Sequence, residues 1–183
     1  AYADQSGRNN TLSGTDVEIV EGVDGQAMGL NGSSSTATVS GTALDTSSDF
    51  TLGAWVRLDR TDDDVYNLIG KDGEYVSPFY FGYLGSTGRW TFRTTDQDGI
   101  GYKWTETVDS QTPAHVGEWT HLTVVYRAAV GEVKLFVDGK AVASEQGIDL
   151  WAANGPLRIG SVWHRDEVKD HWTGAIDNVT VNT

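Results

Sequence analysis

Five segments in the last two-thirds of this chain alternate apolar and polar residues with a period of two: residues 50–58 (FTLGAWVRL), 118–126 (EWTHLTVVY), 133–140 (VKLFVDGK), 156–160 (PLRIG) and 174–181 (GAIDNVTV). That period belongs to a β-strand with one buried and one wetter face. No window sustains apolar residues at i, i+3, i+4 and i+7 behind a capping residue, so helix is not expected. Asp-Gly and Asn-Gly pairs separate the runs, at Asp24-Gly25, Asn31-Gly32, Asp72-Gly73, Asp98-Gly99, Asp138-Gly139 and Asn154-Gly155. Residues 133–142, with Asp138-Gly139 at the centre, form the clearest hairpin signal, because a type I′ turn needs φ > 0 at both central residues.

The alternation also assigns faces. Phe50, Leu52, Ala54, Val56 and Leu58 share one side of their strand, against Thr51, Gly53, Trp55 and Arg57. Leu122 and Val124 oppose His121 and Thr123; Val133, Leu135 and Val137 oppose Lys134 and Phe136; Trp90 and Phe92 oppose Thr91 and Arg93. Aliphatic faces of this kind bury one another, which predicts an all-β, two-sheet antiparallel β-sandwich with sheets ~10 Å apart. The second faces carry Trp55, Arg57, His121, Phe136 and Arg93, a mixture suited to a ligand platform unless loops roof it. Residues 1–49 are more polar and read as edge strands.

At 183 residues the chain fits one domain, 1–183, with a full core. It has no cysteine, which excludes disulfides, thiolate metal sites and a cysteine nucleophile. No apolar run approaches the ~20 residues of a membrane helix. A net charge of −13 argues against nucleic acid and anionic membrane. The acid is mostly Asp, 18 against 8 Glu, which favours turns and oxygen-rich loops. The start at Ala1 reads as a processed or excised fragment.

The ordered phrases resemble LamG-like jelly-roll domains of the concanavalin A-like lectin/glucanase superfamily, nearest those of secreted actinobacterial proteins. The resemblance runs through residues 4–7 (DQSG), 25–32 (GQAMGLNG), 50–58, Trp119-Thr-His121, Val137-Asp-Gly139, 157–160 (LRIG), Trp163, Trp172 and 174–177 (GAID). It implies a jelly roll with a structural Ca²⁺ joining the N-terminal turn to the last strand. Asp4 and Asp177 would supply carboxylates and the Asn31-Gly32 turn a carbonyl, a donor set that suits Ca²⁺. From the residues alone, Asp177 could instead accept backbone hydrogen bonds.

The fold hosts both enzymes and binding modules. Glycosidases of the superfamily carry a Glu-x-Asp-x-x-Glu type strand, which places two carboxylates ~5 Å apart; no such strand exists here. Gly-x-Ser-x-Gly and Walker loops are also missing, and the four histidines are scattered. Asp96-Gln-Asp-Gly99 reads as a turn, since it lacks the remaining positions of an EF-hand. Aromatic and polar residues do meet in three loop stretches, 101–104, 150–154 and 162–172. Saccharides stack apolar ring faces on Trp or Tyr and hydrogen-bond through their rims. Arg93, Trp104, Trp163 and His164 are therefore the candidate ligand-binding residues. The expectation is a non-catalytic recognition module of a secreted or cell-surface protein, binding carbohydrate or cell-surface glycan. The alternative is an adhesion or architectural module that contacts neighbouring domains.

Overall fold

In the computed structural model, which describes residues 5, 8, 10–39 and 43–183, the alternating segments form strands. In chain order these are β1 (Leu12–Thr15), β2 (Glu18–Glu21), β3 (Gln26–Asn31), β4 (Thr36–Val39), β5 (Phe50–Leu58), β6 (Val65–Lys71), β7 (Phe79–Leu84), β8 (Arg89–Thr95), β9 (Trp104–Pro113), β10 (Thr120–Arg127), β11 (Glu132–Val137), β12 (Lys140–Glu145), β13 (Leu157–Ile159), β14 (Val162–His164), β15 (Glu167–Lys169) and β16 (Thr173–Asn182). The helical content among the described residues is one 3₁₀ turn, Ala128–Val130.

Two antiparallel sheets of seven strands face each other. The first runs β1-β4-β13-β6-β7-β8-β9, the second β12-β11-β10-β5-β16-β3-β2, and β14 and β15 form a separate hairpin. Of the N-terminal strands, β1 and β2 are edges as expected, whereas β3 and β4 are interior. The Asp138-Gly139 turn has φ of 49° and 74°, as a two-residue primed hairpin requires.

The inward faces are those the alternation predicts. Leu52, Ala54, Val56, Leu58, Leu122, Val124, Val133 and Leu135 are fully buried, and Val137 packs at the margin. Trp90 and Trp172 stack at 6.2 Å, and Phe79 stacks on Phe92 at 5.1 Å. Burying each large apolar side chain contributes roughly 1.5–3 kcal/mol. The interface between sheets therefore holds the strands in place more than any single polar contact does.

One expectation is corrected. Arg93 does not share a platform with Trp55, Arg57, His121 and Phe136. It lies on β8 in the first sheet, while the other four lie on β5, β10 and β11 in the second. Because both sheets turn their aliphatic sides inward, the two sets emerge on opposite outer faces of the sandwich. On the second sheet, Trp55 meets His121 at 5.1 Å and the Arg57 guanidinium lies over Trp119 at 5.2 Å.

Candidate functional site

Three neighbouring strands of the first sheet build the floor of a cleft. The β7–β8 register sets Tyr80 opposite Arg93, and the β8–β9 register sets Thr95 opposite Trp104. The β14–β15 hairpin forms one wall and brings in His164. Its turn residues Arg165 and Asp166 have φ of 57° and 61°. Three hydrogen bonds pin the hairpin to the 74–77 segment: Trp163 Nε1 donates to Glu74 O at 3.0 Å, Ser77 Oγ to Trp163 O at 3.1 Å, and Arg165 N to Tyr75 O at 2.7 Å. The loop that receives it is ordered by Asp98, whose carboxylate accepts the amides of Glu74, Tyr75 and Val76. Asp96 accepts Lys103 N at 2.7 Å, closing the neighbouring turn. The Asp96–Gly99 segment is thus a loop clamp, as its turn-like sequence predicts.

The rings converge closely. Trp104 lies nearly parallel to His164 at 5.9 Å, Tyr80 meets Trp104 at 4.8 Å, and Tyr102 stands edge-on to both His164 and Trp104. The Arg93 guanidinium lies 4.9 Å from the Trp104 ring and 5.6 Å from Tyr80. Trp104 is 45% exposed, the most exposed aromatic ring among the described large hydrophobic side chains, and so open to a stacking partner.

A hydrogen-bond chain orients the polar groups. Ser77 N donates to Tyr80 Oη at 3.2 Å, and Tyr80 Oη lies 2.9 Å from His164 Nδ1. Burial pushes the Tyr80 phenol far above its ordinary value and holds the His164 imidazole down at about 4, with Arg165, Lys169 and Arg93 adding to the depression. Near neutral pH the imidazole is therefore neutral, with Nδ1 held against the Tyr80 hydroxyl and Nε2 facing the Tyr102 hydroxyl at 3.4 Å. Arg165 Nε donates to that same hydroxyl at 3.1 Å. The Tyr102 hydroxyl is thus held between the His164 ring and the Arg165 guanidinium at the edge of Trp104. Arg93 Nε is buried without a hydrogen-bond acceptor, which leaves the guanidinium under-satisfied. Burial lowers the Arg93 pKa and raises that of Asp170, while their attraction opposes both shifts. In front of these groups opens a pocket of about 370 Å³ lined by Tyr75, Ile100, Tyr102, Lys103, Trp104 and Arg165.

Three of the four residues expected to bind ligand, Arg93, Trp104 and His164, therefore come together. Trp163 does not join their rings: strand alternation turns it away from His164, and its indole fastens the hairpin to Glu74. Of the other aromatic stretch, Trp151 donates Nε1–H to Thr95 Oγ1 at 3.2 Å and so secures a loop to the end of β8. Sequence reasoning missed Tyr80 and Asp170. Tyr80 sits in the run FYFGYL, where aromatic residues occupy both faces and blur the alternation.

The expected calcium ligands are placed differently. Asp4 lies outside the described residues. Asn31 pairs with Thr173 across β3–β16, four positions from Asp177, or roughly 13 Å along the strands. Its side-chain carbonyl accepts the amides of Ser33, Ser34 and Ser35 and so caps its own turn. Asp177 Oδ2 accepts Val23 N at 2.8 Å and Asp24 N at 3.4 Å, and Oδ1 accepts Asn178 N at 2.8 Å. No group of three or more His, Cys, Asp or Glu side chains able to hold a metal occurs among the described residues. Asn31 and Asp177 consequently do not fit a shared calcium centre. A larger hollow of about 600 Å³ beside Asp177 includes Leu12, Ile19, Met28, Leu157 and Ile176 in its lining.

Two seven-stranded antiparallel sheets packed face to face, with an aromatic and cationic cleft on one outer face, define a concanavalin A-like jelly roll. The chain belongs to the concanavalin A-like lectin/glucanases superfamily, whose Laminin_G_3 family matches residues 31–183. Among solved structures it is similar to domain 4 of AbnA, an extracellular GH43 arabinanase from Geobacillus stearothermophilus, determined with arabinotriose: 18% identity, TM-score 0.69, covering 93% of this chain and 80% of that one. It is similar also to carbohydrate-binding module CBM66 from Bacillus subtilis, with 13% identity, TM-score 0.57 and coverage of 94% and 95%. The binding domain of botulinum neurotoxin serotype D matches with 16% identity and TM-score 0.69; the match covers 99% of this chain but 45% of that one. No curated protein sequence matches the chain. No helix among the described residues is long and apolar enough to cross a membrane.

Proposed function

We propose that this domain is a non-catalytic saccharide-binding module of a secreted or cell-surface protein, with its site in the cleft of Tyr80, Arg93, Tyr102, Trp104 and His164. The observation that carries the reading is the half-exposed Trp104 ring, packed against His164 and Arg93 and flanked by the Tyr102 hydroxyl. An apolar sugar face would stack on the indole, and hydroxyls at the ring edge would hydrogen-bond to the Tyr102 hydroxyl and the remaining guanidinium donors of Arg93. The arabinotriose bound by the AbnA domain and the carbohydrate-binding role of CBM66 support the same class of ligand. Catalysis is not part of the proposal, because the sequence lacks the superfamily's paired-carboxylate strand.

The test is a glycan array followed by calorimetry with the parent domain, Trp104→Ala and Tyr102→Phe. Removing the indole is expected to weaken binding by at least tenfold, in line with aromatic stacking of ~1–3 kcal/mol. Absence of binding to every saccharide would sink the proposal. A protein-contact role has one observation in its favour, the half-buried Trp55–His121 and Arg57–Trp119 pairs on the opposite outer face. Concentration-dependent self-association that Trp55→Ala abolishes would favour it.

A further inference from the structure

The chain carries 26 acidic and 13 basic side chains, two carboxylates for every cation. Arg60, Arg89, Arg127, Lys134, Arg158 and Lys169 each pair with one within 4 Å. Of the cations that make no such pair, Arg57, Lys71 and Lys140 stand on three different strands: Arg57 lies over Trp119, Lys71 is buried beside Asp72, and Lys140 follows the β11–β12 turn. Arg93, Lys103 and Arg165 differ in meeting at one aromatic cluster: Arg93 packs on Trp104 and Tyr80, and Lys103 and Arg165 line the pocket that Trp104 also lines. Arg93 feels the attraction of Asp170 without reaching it. The pocket in front of Trp104 includes Lys103 and Arg165 in its lining and no acidic residue. The loop carboxylates Asp96 and Asp98 are turned toward backbone amides that they hold in place.

We propose that the cleft takes an anionic saccharide, one whose carboxylate or sulfate lies between Lys103 and Arg165 while its ring stacks on Trp104. This rests on the saccharide-binding reading above and adds the charge of the ligand to it. In a domain of net charge −13, a pocket whose lining carries two cations and no carboxylate is a place where an anion would be attracted. A guanidinium presents parallel N–H donors that match both planar carboxylates and sulfates. Arg165 is already oriented by its hydrogen bond to the Tyr102 hydroxyl and its stacking over that ring at 5.7 Å, which lowers the ordering cost on binding.

The experiment uses the full chain against three probes: trigalacturonate for carboxylate, a sulfated heparin-derived tetrasaccharide for sulfate, and a neutral arabino-oligosaccharide. Calorimetry is run at low and high NaCl, with the parent, with Trp104→Ala and with Lys103→Gln/Arg165→Gln. Both substituted side chains are exposed, and a melting curve confirms that the variant is folded. The expected result is that one anionic probe binds about tenfold or more tighter than the neutral one. That preference should collapse in 0.5 M salt, where the Debye length falls to ~4 Å, and in the double variant. Neutral binding equal to or tighter than anionic, with both lost in Trp104→Ala, would overturn the charge assignment and leave the saccharide reading intact. Anionic binding indifferent to the double variant would overturn the placement. Failure of all three probes would count against both readings.

Discussion

Replacing Asp177 by Ala should destabilise the domain through the turn that joins β2 to β3, and the size of the effect follows from three contacts. The amides of Val23 and Asn178 donate to the carboxylate at 2.8 Å, and that of Asp24 at 3.4 Å. Asp177 is only 6% exposed, so water reaches the site poorly. A buried amide left without an acceptor costs about 1–3 kcal/mol, and the long third bond adds little. Val23, at 42% exposed, gives water some access to the turn, which removes the upper end of that range. The expected loss is about 3 kcal/mol, or a fall in Tm of roughly 6–12 °C for a domain of this size. Gly22 supplies an internal control. A Cβ there would collide with Asp177 Oδ2, so Gly22→Ala should be costly in the parent and much less so beside Asp177→Ala. Denaturant unfolding of the four proteins closes the double-mutant cycle. A loss under about 1 kcal/mol, below what even one stranded amide costs, or strictly additive effects, would refute the argument that the carboxylate seats the turn. Melting the parent with Ca²⁺ and with chelator completes the test. Coincident curves are expected; a Ca²⁺-dependent rise in Tm that Asp177→Ala abolishes would show instead that this carboxylate ligates metal.

Other parts of the molecule can be probed in the same way. His164 has its pKa depressed to about 4 from an ordinary value near 6.5, so the unfolded chain binds its proton first; stability should be intact above pH 6.5 and decline as pH falls toward 4, and His164→Gln should flatten that part of the profile in pH-dependent melts. Arg158 and Asp72 form a buried pair with side chains 9% and 6% exposed, so Arg158→Ala should cost about 3–5 kcal/mol while Arg158→Met, which restores packing but still strands Asp72, should recover only part of it in urea unfolding. Gly82 has no room for a side chain, since a Cβ would run into Tyr66 O at the β6 bulge; Gly82→Ala should lower Tm and broaden the amide signals of β6 and β7 in NMR spectra.

The legible part of this molecule is the part encoded by near neighbours. Alternation on residues 50–58, 120–126 and 132–137 names the inward faces because pleating forces successive side chains to opposite sides. Sheet membership is not local, and Arg93 shows the consequence: its strand alternates like β5 and β10 yet pairs with β7 and β9 in the other sheet. For the same reason Asn31 and Asp177, drawn together by family resemblance, are separated once the β3–β16 register is known. Trp104 and His164 could be singled out by type, as aromatic and polar residues in loops that the apolar core does not need. Their partner Tyr80 could not, because a buried tyrosine amid Phe79 and Phe81 looks like core until its hydroxyl is seen on His164 Nδ1.

Asp177 and the basic cleft make the same physical point from opposite sides. A charged group is costly where its field or its burial goes unanswered, and what decides its role is whether the protein itself satisfies it. Asp177 has three backbone donors, which is sufficient for a structural carboxylate. Arg93 keeps a buried Nε without an acceptor, and Lys103 and Arg165 line the pocket beside Trp104 without a carboxylate within 4 Å. Among the described residues, six cations pair with the protein's own acids and others are scattered over separate strands, while these three gather around one exposed indole. That concentration is the reason to look for the ligand, and for its negative charge, at the first sheet.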